Sequence, residues 1–146
     1  METIIKSIFA AFGAAAAYLW GPWDALILVL IAFVVTDYVT GVMKAAARGT
    51  LDSSIGFKGL FKKVMIFVLV AVGSLLDKVI PAAQNAIRAA VCMFYIANEG
   101  LSILENAGSL GLPLPAVLKK WLAKLKESGE DTAVITDTTD TDKTTK

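Results

Sequence analysis

Four stretches of this chain, 4–20, 25–43, 64–80 and 86–104, are apolar over nearly the length of a membrane crossing. A bilayer hydrocarbon core of about 30 Å is bridged by about 20 helical residues. Backbone that crosses lipid must satisfy its own hydrogen bonds, which a helix does and an open strand does not. The expected fold is therefore an all-α integral membrane protein with about four transmembrane helices. Composition agrees: 56% of the 146 residues are apolar and only 18% charged, against about 25% charged in a soluble domain.

The first stretch is interrupted only by Lys6 and Ser7, and Gly21-Pro22 breaks the helix between Trp20 and Trp23, two residues suited to an interface. Lys6, the apolar run and the alanines 14–17 also resemble a cleavable signal peptide. Glu2 and the continuation through Tyr18-Leu19-Trp20 favour a retained helix. The second stretch carries Asp37 near its far end, the third ends at Asp77-Lys78, and the fourth holds Arg88 and then a polar cluster, NEGLSILEN, at 98–106.

Charge sets the expected orientation. The connection 44–63 holds five basic residues and one acid, and basic loops of this length stay in the cytoplasm. With both chain ends inside, ten basic residues face the cytoplasm, and Lys78 and Arg88 face out. Beyond the fourth stretch, Pro113 and Pro115 introduce a helix within 108–126. There Leu118, Trp121, Leu122 and Leu125 follow i, i+3, i+4, i+7 spacing, with lysines opposite. Such a helix is expected to lie on the anionic inner leaflet, with packing on a partner protein as the alternative. The tail 127–146, with seven threonines and six acids, is expected to be disordered.

The chain has no histidine, and Cys92 is its single cysteine. That excludes a Cys/His zinc site, an intrachain disulfide and histidine-dependent nucleophilic catalysis within one chain. Phosphate-loop and dinucleotide motifs are also missing from the sequence. An enzyme is not expected, nor a cofactor, a metal or a nucleic-acid partner.

At 100° per residue, Gln84, Arg88, Tyr95, Asn98, Glu99, Ser102, Glu105 and Asn106 fall within one stripe about 120° wide. A carboxylate at membrane depth costs about 2.5–3.5 kcal/mol against lipid. The stripe must face other helices, as a polar seam with Glu99 or Glu105 paired to lysines, or a water-filled lumen in an assembly. On the second helix Asp37, Thr40, Gly41, Lys44 and Arg48 share a face about 100° wide. The simplest partners for Asp37 are Lys44, Lys62 and Lys63. Asp77 reads as an interfacial residue.

Residues 37–63, DYVTGVMKAAARGTLDSSIGFKGLFKK, resemble the central signature of the toxin-secretion/phage-lysis holin family. The matching positions are Asp37, Thr40-Gly41, Ala45, Ser53-Ser54, Gly56, Gly59 and Lys62-Lys63, with Asp77 at a further family position. Residues 98–126 resemble its second signature at Asn98-Glu99, Ser102, Glu105-Asn106, Gly111, Pro113 and Pro115. The resemblance covers about 25–126; the tail departs from it, since holins commonly end in a basic run and this chain ends acidic. It implies a homo-oligomer in the bacterial cytoplasmic membrane that opens a timed lesion, releasing an endolysin in host-cell lysis or a large toxin. A small membrane scaffold and an ion-coupled transporter using Asp37 and Glu99 are the readings from other classes.

Overall fold

The computed structural model describes residues 1–134. Its elements are α1 (Glu2–Trp20), α2 (Ala25–Ala47), α3 (Ser53–Val79), a 3-10 turn (Pro81–Ala83), α4 (Ala86–Ser109) and α5 (Ala116–Val134). α1, α2, Gly56–Val79 of α3 and α4 are each long and apolar enough to cross a membrane.

The largest departure from expectation is the basic connection. α2 continues to Ala47 and α3 begins at Ser53, eleven residues before the expected 64, so only residues 48–52 turn the chain. Phe57, Leu60, Phe61 and Val64 sit at helical spacing, and Lys and Leu are strong enough helix formers to carry Gly56 and Gly59. Gly49, at φ 65°, makes the turn. Lys63 therefore sits on a rigid helix rather than in a loop.

Three helices share one seam. Ile27, Leu30 and Val34 of α2, Ile66 and Val70 of α3, and Cys92 and Ile96 of α4 form the core. The three- and four-residue spacing keeps each row on one helix face. α4 is central, packing against α2, α3 and α5. At its Ala86 end it comes so close to α3 that a Cβ on Gly73 would stand 3.2 Å from the Arg88 Cα. Close backbone approach of this kind is how small residues contribute to helix association in lipid.

α1 packs mainly on α3, burying only Ala16. Trp20 Nε1 donates to the Phe67 carbonyl at 2.8 Å, and the Lys78 ammonium donates to the Tyr18 carbonyl while lying over its ring. Ile4, Ile8, Phe9 and Phe12 are exposed, a surface for lipid.

α5 does not stand apart from the spans. It turns back along α4, with Leu122 seated over Gly100, where a Cβ would come within 2.9 Å of a Leu122 methyl and 3.0 Å of the Phe33 ring. Leu125 packs on the core, and the Lys126 ammonium lies 5.9 Å from the centre of the Phe94 ring. The glycine leaves a notch that a leucine fills. The helix also runs to Val134, so 127–134 is helical where disorder was expected; the remainder of that tail, 135–146, lies outside the described residues.

Candidate functional site

The core rows do not end in apolar residues. On α2, the series Ile27, Leu30, Val34 continues to Asp37; on α3, Val70 and Ile66 lead back to Lys63; on α4, Cys92 and Ile96 lead on to Glu99 and Asn106. The spacing that buries the leucines and isoleucines buries these polar groups at one end of the seam.

There the Lys63 ammonium donates to carboxylates on both neighbouring helices, Asp37 and Glu99. The Asn106 amide donates to Asp37 Oδ1 at 3.2 Å and to Thr40 Oγ1 at 3.1 Å. Thr40 in turn donates to the Asp37 carbonyl at 3.0 Å. Lys44 Nζ donates to Asn106 Oδ1 at 3.3 Å, so two ammoniums and two carboxylates belong to one connected set. Asp37, Glu99 and Asn106 are buried. Beside them lies a cavity of about 270 Å³, walled by Asp37, Gly41, Lys63, Ser102 and Asn106 and bounded by the 48–52 turn. Among the described residues, no buried side-chain nitrogen or oxygen lacks a partner.

The opposite end of the seam holds a second polar knot. Arg88, 3% exposed, donates to the carbonyls of Trp20 at 2.7 Å and Pro22 at 2.9 Å, and to both Asp24 oxygens at 2.9 and 3.2 Å. The guanidinium hydrogen bonds hold the Asp24 carboxyl below its usual range. Gly21 is required here by its backbone, at φ 77°, and by space, since a Cβ would fall 2.9 Å from Arg88 Nε. Asp77 accepts from the main-chain N–H groups of Ile87 at 3.1 Å and Arg88 at 2.8 Å. It is a buried cap for α4, two residues from the end of α3. The 81–85 turn brings the first N–H groups of α4 back over the end of α3, where Asp77 meets them.

The twelve residues singled out from the sequence thus divide. Asp37, Thr40, Lys63, Glu99 and Asn106 converge in the network around Lys63, with Gly41 and Ser102 on its cavity wall. Asp77 and Arg88 form the knot at the opposite end. Lys62 and Glu105 are exposed, and Asn98, half-buried, takes no part in either. Of the two forms expected for the α4 stripe, the fold contains the seam: Glu99 and Asn106 face α2 and α3. Sequence reasoning missed Asp24 as a partner for Arg88. Its position just before an apolar helix is a capping signal, and its side chain does accept from Ile27 N at 3.1 Å. No group of three Cys, Asp or Glu side chains among the described residues is placed to hold a metal ion.

The profile of the bacteriophage holin family matches residues 14–127. An uncharacterized protein of Listeria monocytogenes is 42% identical over 132 residues, 90% of this chain and 94% of its own length. An uncharacterized 14.9 kDa protein in the nagH 3' region of Clostridium perfringens is 38% identical over 128 residues, covering 86% and 97%. A probable holin of Bacillus phage phi105 is 36% identical over 122 residues, covering 84% and 89%. No solved structure matches.

Proposed function

Because the chain belongs to the bacteriophage holin family, we propose that it opens a timed lesion in the bacterial cytoplasmic membrane. It accumulates there as a multi-pass protein with both ends in the cytoplasm, the orientation its basic residues favour. Copies then assemble with one another, and an endolysin, or in some bacteria a large toxin, crosses. The observation that carries this reading is the shared lysine: α2 and α4 are cross-linked through Lys63 of α3 by side chains on all three helices.

A satisfied network keeps charges away from lipid, so a membrane filled with closed copies stays tight. Side-chain ion pairs between helices can also be remade between copies, Lys63 of one meeting Glu99 of the next, at small net cost. That gives two packings of similar energy, between which crowding decides.

The test is induction in a bacterium together with a cytoplasmic endolysin that lacks an export signal. Growth continues for a time, then respiration stops abruptly and the endolysin escapes at a fixed accumulated density. A leak proportional to expression throughout means nonspecific membrane stress. No escape at any level returns the chain to the scaffold or transporter class.

A further inference from the structure

We propose that the notch at Gly100 and Phe33 receives the α5 of a second copy, so that copies assemble by handing α5 from one chain to the next. This rests on the lesion-forming reading above and says how its copies join. Within one copy the notch is filled by the chain's own α5, and lightly. Leu122 is the one buried residue of 116–127, with Leu125 and Lys126 partly covered. Leu122 lies over Gly100, Leu125 on the core and the Lys126 ammonium near the Phe94 ring. A neighbour's α5 can make each of these contacts, because none depends on which chain α5 belongs to.

The link between the helices permits the exchange. α4 ends at Ser109 and α5 begins at Ala116. The chain reverses at Leu110-Gly111, with Gly111 at φ 86° and a position where a Cβ would meet nothing within 4 Å. Two main-chain bonds close the turn, Gly111 N to Gly108 O at 3.0 Å and Leu112 N to Ala107 O at 3.1 Å. Beyond it, Pro113 and Pro115 push Leu112 and Leu114 toward extended backbone. Glycine takes φ of either sign at little cost, so rotation at one residue opens the fold-back. The six residues 110–115 then reach roughly 20 Å at about 3.3 Å each. Packed helices lie about 8–10 Å apart, which puts the α4 of an adjoining copy within range.

Handing α5 onward builds something different from a mutual trade. Two copies that trade α5 close on each other and stop at a pair. Copies that each give α5 to the next and receive one from the last are joined head to tail, and such contacts grow until a ring closes. The Lys63 network and the Arg88 knot are bonded within residues 20–106, so α5 changes chains with those bonds in place.

Two differently tagged forms of the full-length chain, both Cys92→Ala, are produced together in cells, one with Phe94→Cys and the other with Lys126→Cys. A short bifunctional thiol reagent should give a product carrying both tags at lesion onset and not before. Phe12→Cys, on the exposed side of α1, should give none with the Lys126→Cys form. Product equally abundant before onset, missing after it, or matched by Phe12→Cys overturns the proposal. A second variant needs no reagent. Gly111→Ala strains only the folded-back turn, so lesions should open at a lower accumulated density than in wild type. An unchanged or later onset also overturns the proposal. If such a failure accompanies timed endolysin release, the exchange falls and the holin reading stands. If the wild type forms no lesion, both fall.

Discussion

The two polar ends of the seam are built from different kinds of bond. At the Arg88 end, the guanidinium is held by two main-chain carbonyls and a forked carboxylate, and Asp77 by two main-chain N–H groups. A guanidinium has fixed donor directions and does not deprotonate, so this end ties chain turns to helix ends in one geometry. At the Lys63 end, nearly every contact joins side chain to side chain, around a lysine whose ammonium is a rotatable point charge. Backbone-directed bonds resist exchange, whereas side-chain pairs can be remade with an equivalent partner. The molecule is pinned at one end and adaptable at the other.

The strongest way to break that contrast is Lys63→Met. It leaves Asp37 and Glu99 facing each other without their shared cation, and removing one member of a buried ion pair costs about 3–5 kcal/mol. Thermal unfolding in detergent should show this loss, with Lys63→Arg retaining most of the stability because the charge remains. A Lys63→Met protein as stable as wild type would mean that the network contributes nothing to the closed monomer.

Gly21→Ala tests the rigid end. Gly21 has φ 77° and ψ −163°, a region nearly restricted to glycine, where another residue costs about 1–3 kcal/mol. The added Cβ also meets Arg88 Nε. Loss of stability is expected, together with faster proteolysis of the α1–α2 turn. Unaltered unfolding and proteolysis would show that the turn yields easily and that the Arg88 end is not rigid.

The smallest effect is in acid. Asp24 has a depressed pKa in the folded protein, so its contribution is fully present above the usual carboxylate value of about 3.9. It is lost as pH falls through the folded value. Its side chain is 42% exposed, which limits the contribution to roughly 0.2–1 kcal/mol. Unfolding measured from pH 6 down to pH 2 should bring wild type and Asp24→Asn together at the acid end. A constant gap across that range would assign the Asp24 contribution to packing rather than charge.

The transmembrane spans were legible because length and hydropathy alone specify them, and the α4 stripe because helical periodicity collects its polar residues. Choice of partner was not. Lys62 and Lys63 are neighbours in sequence, yet they point about 100° apart once both lie on a helix, and only a helical reading of 53–63 separates the partly buried one from the exposed one. The apolar period carries more than hydropathy does: Asp37 continues the Ile27, Leu30, Val34 row, and that spacing by itself marks a seam residue. Arg88 was legible as polar but not as a clamp, since its partners come from the turn some 64–68 positions earlier. The fold-back of α5 seats Leu122 over Gly100 and Leu125 on the core, a choice of partner that no periodicity marks.

Asp77 gives the chain an order of assembly. α4 opens after Gln84 and Asn85, both at positive φ, and Asn85 supplies no side-chain bond to its first turn. Those amides are satisfied from the preceding span instead. A fourth span emerging from the translocon without α3 beside it would carry bare N–H groups at its leading end, so the third and fourth spans should enter the membrane as a paired hairpin. Asp77→Ala should then reduce the yield of inserted protein more than it reduces the stability of the molecules that do insert.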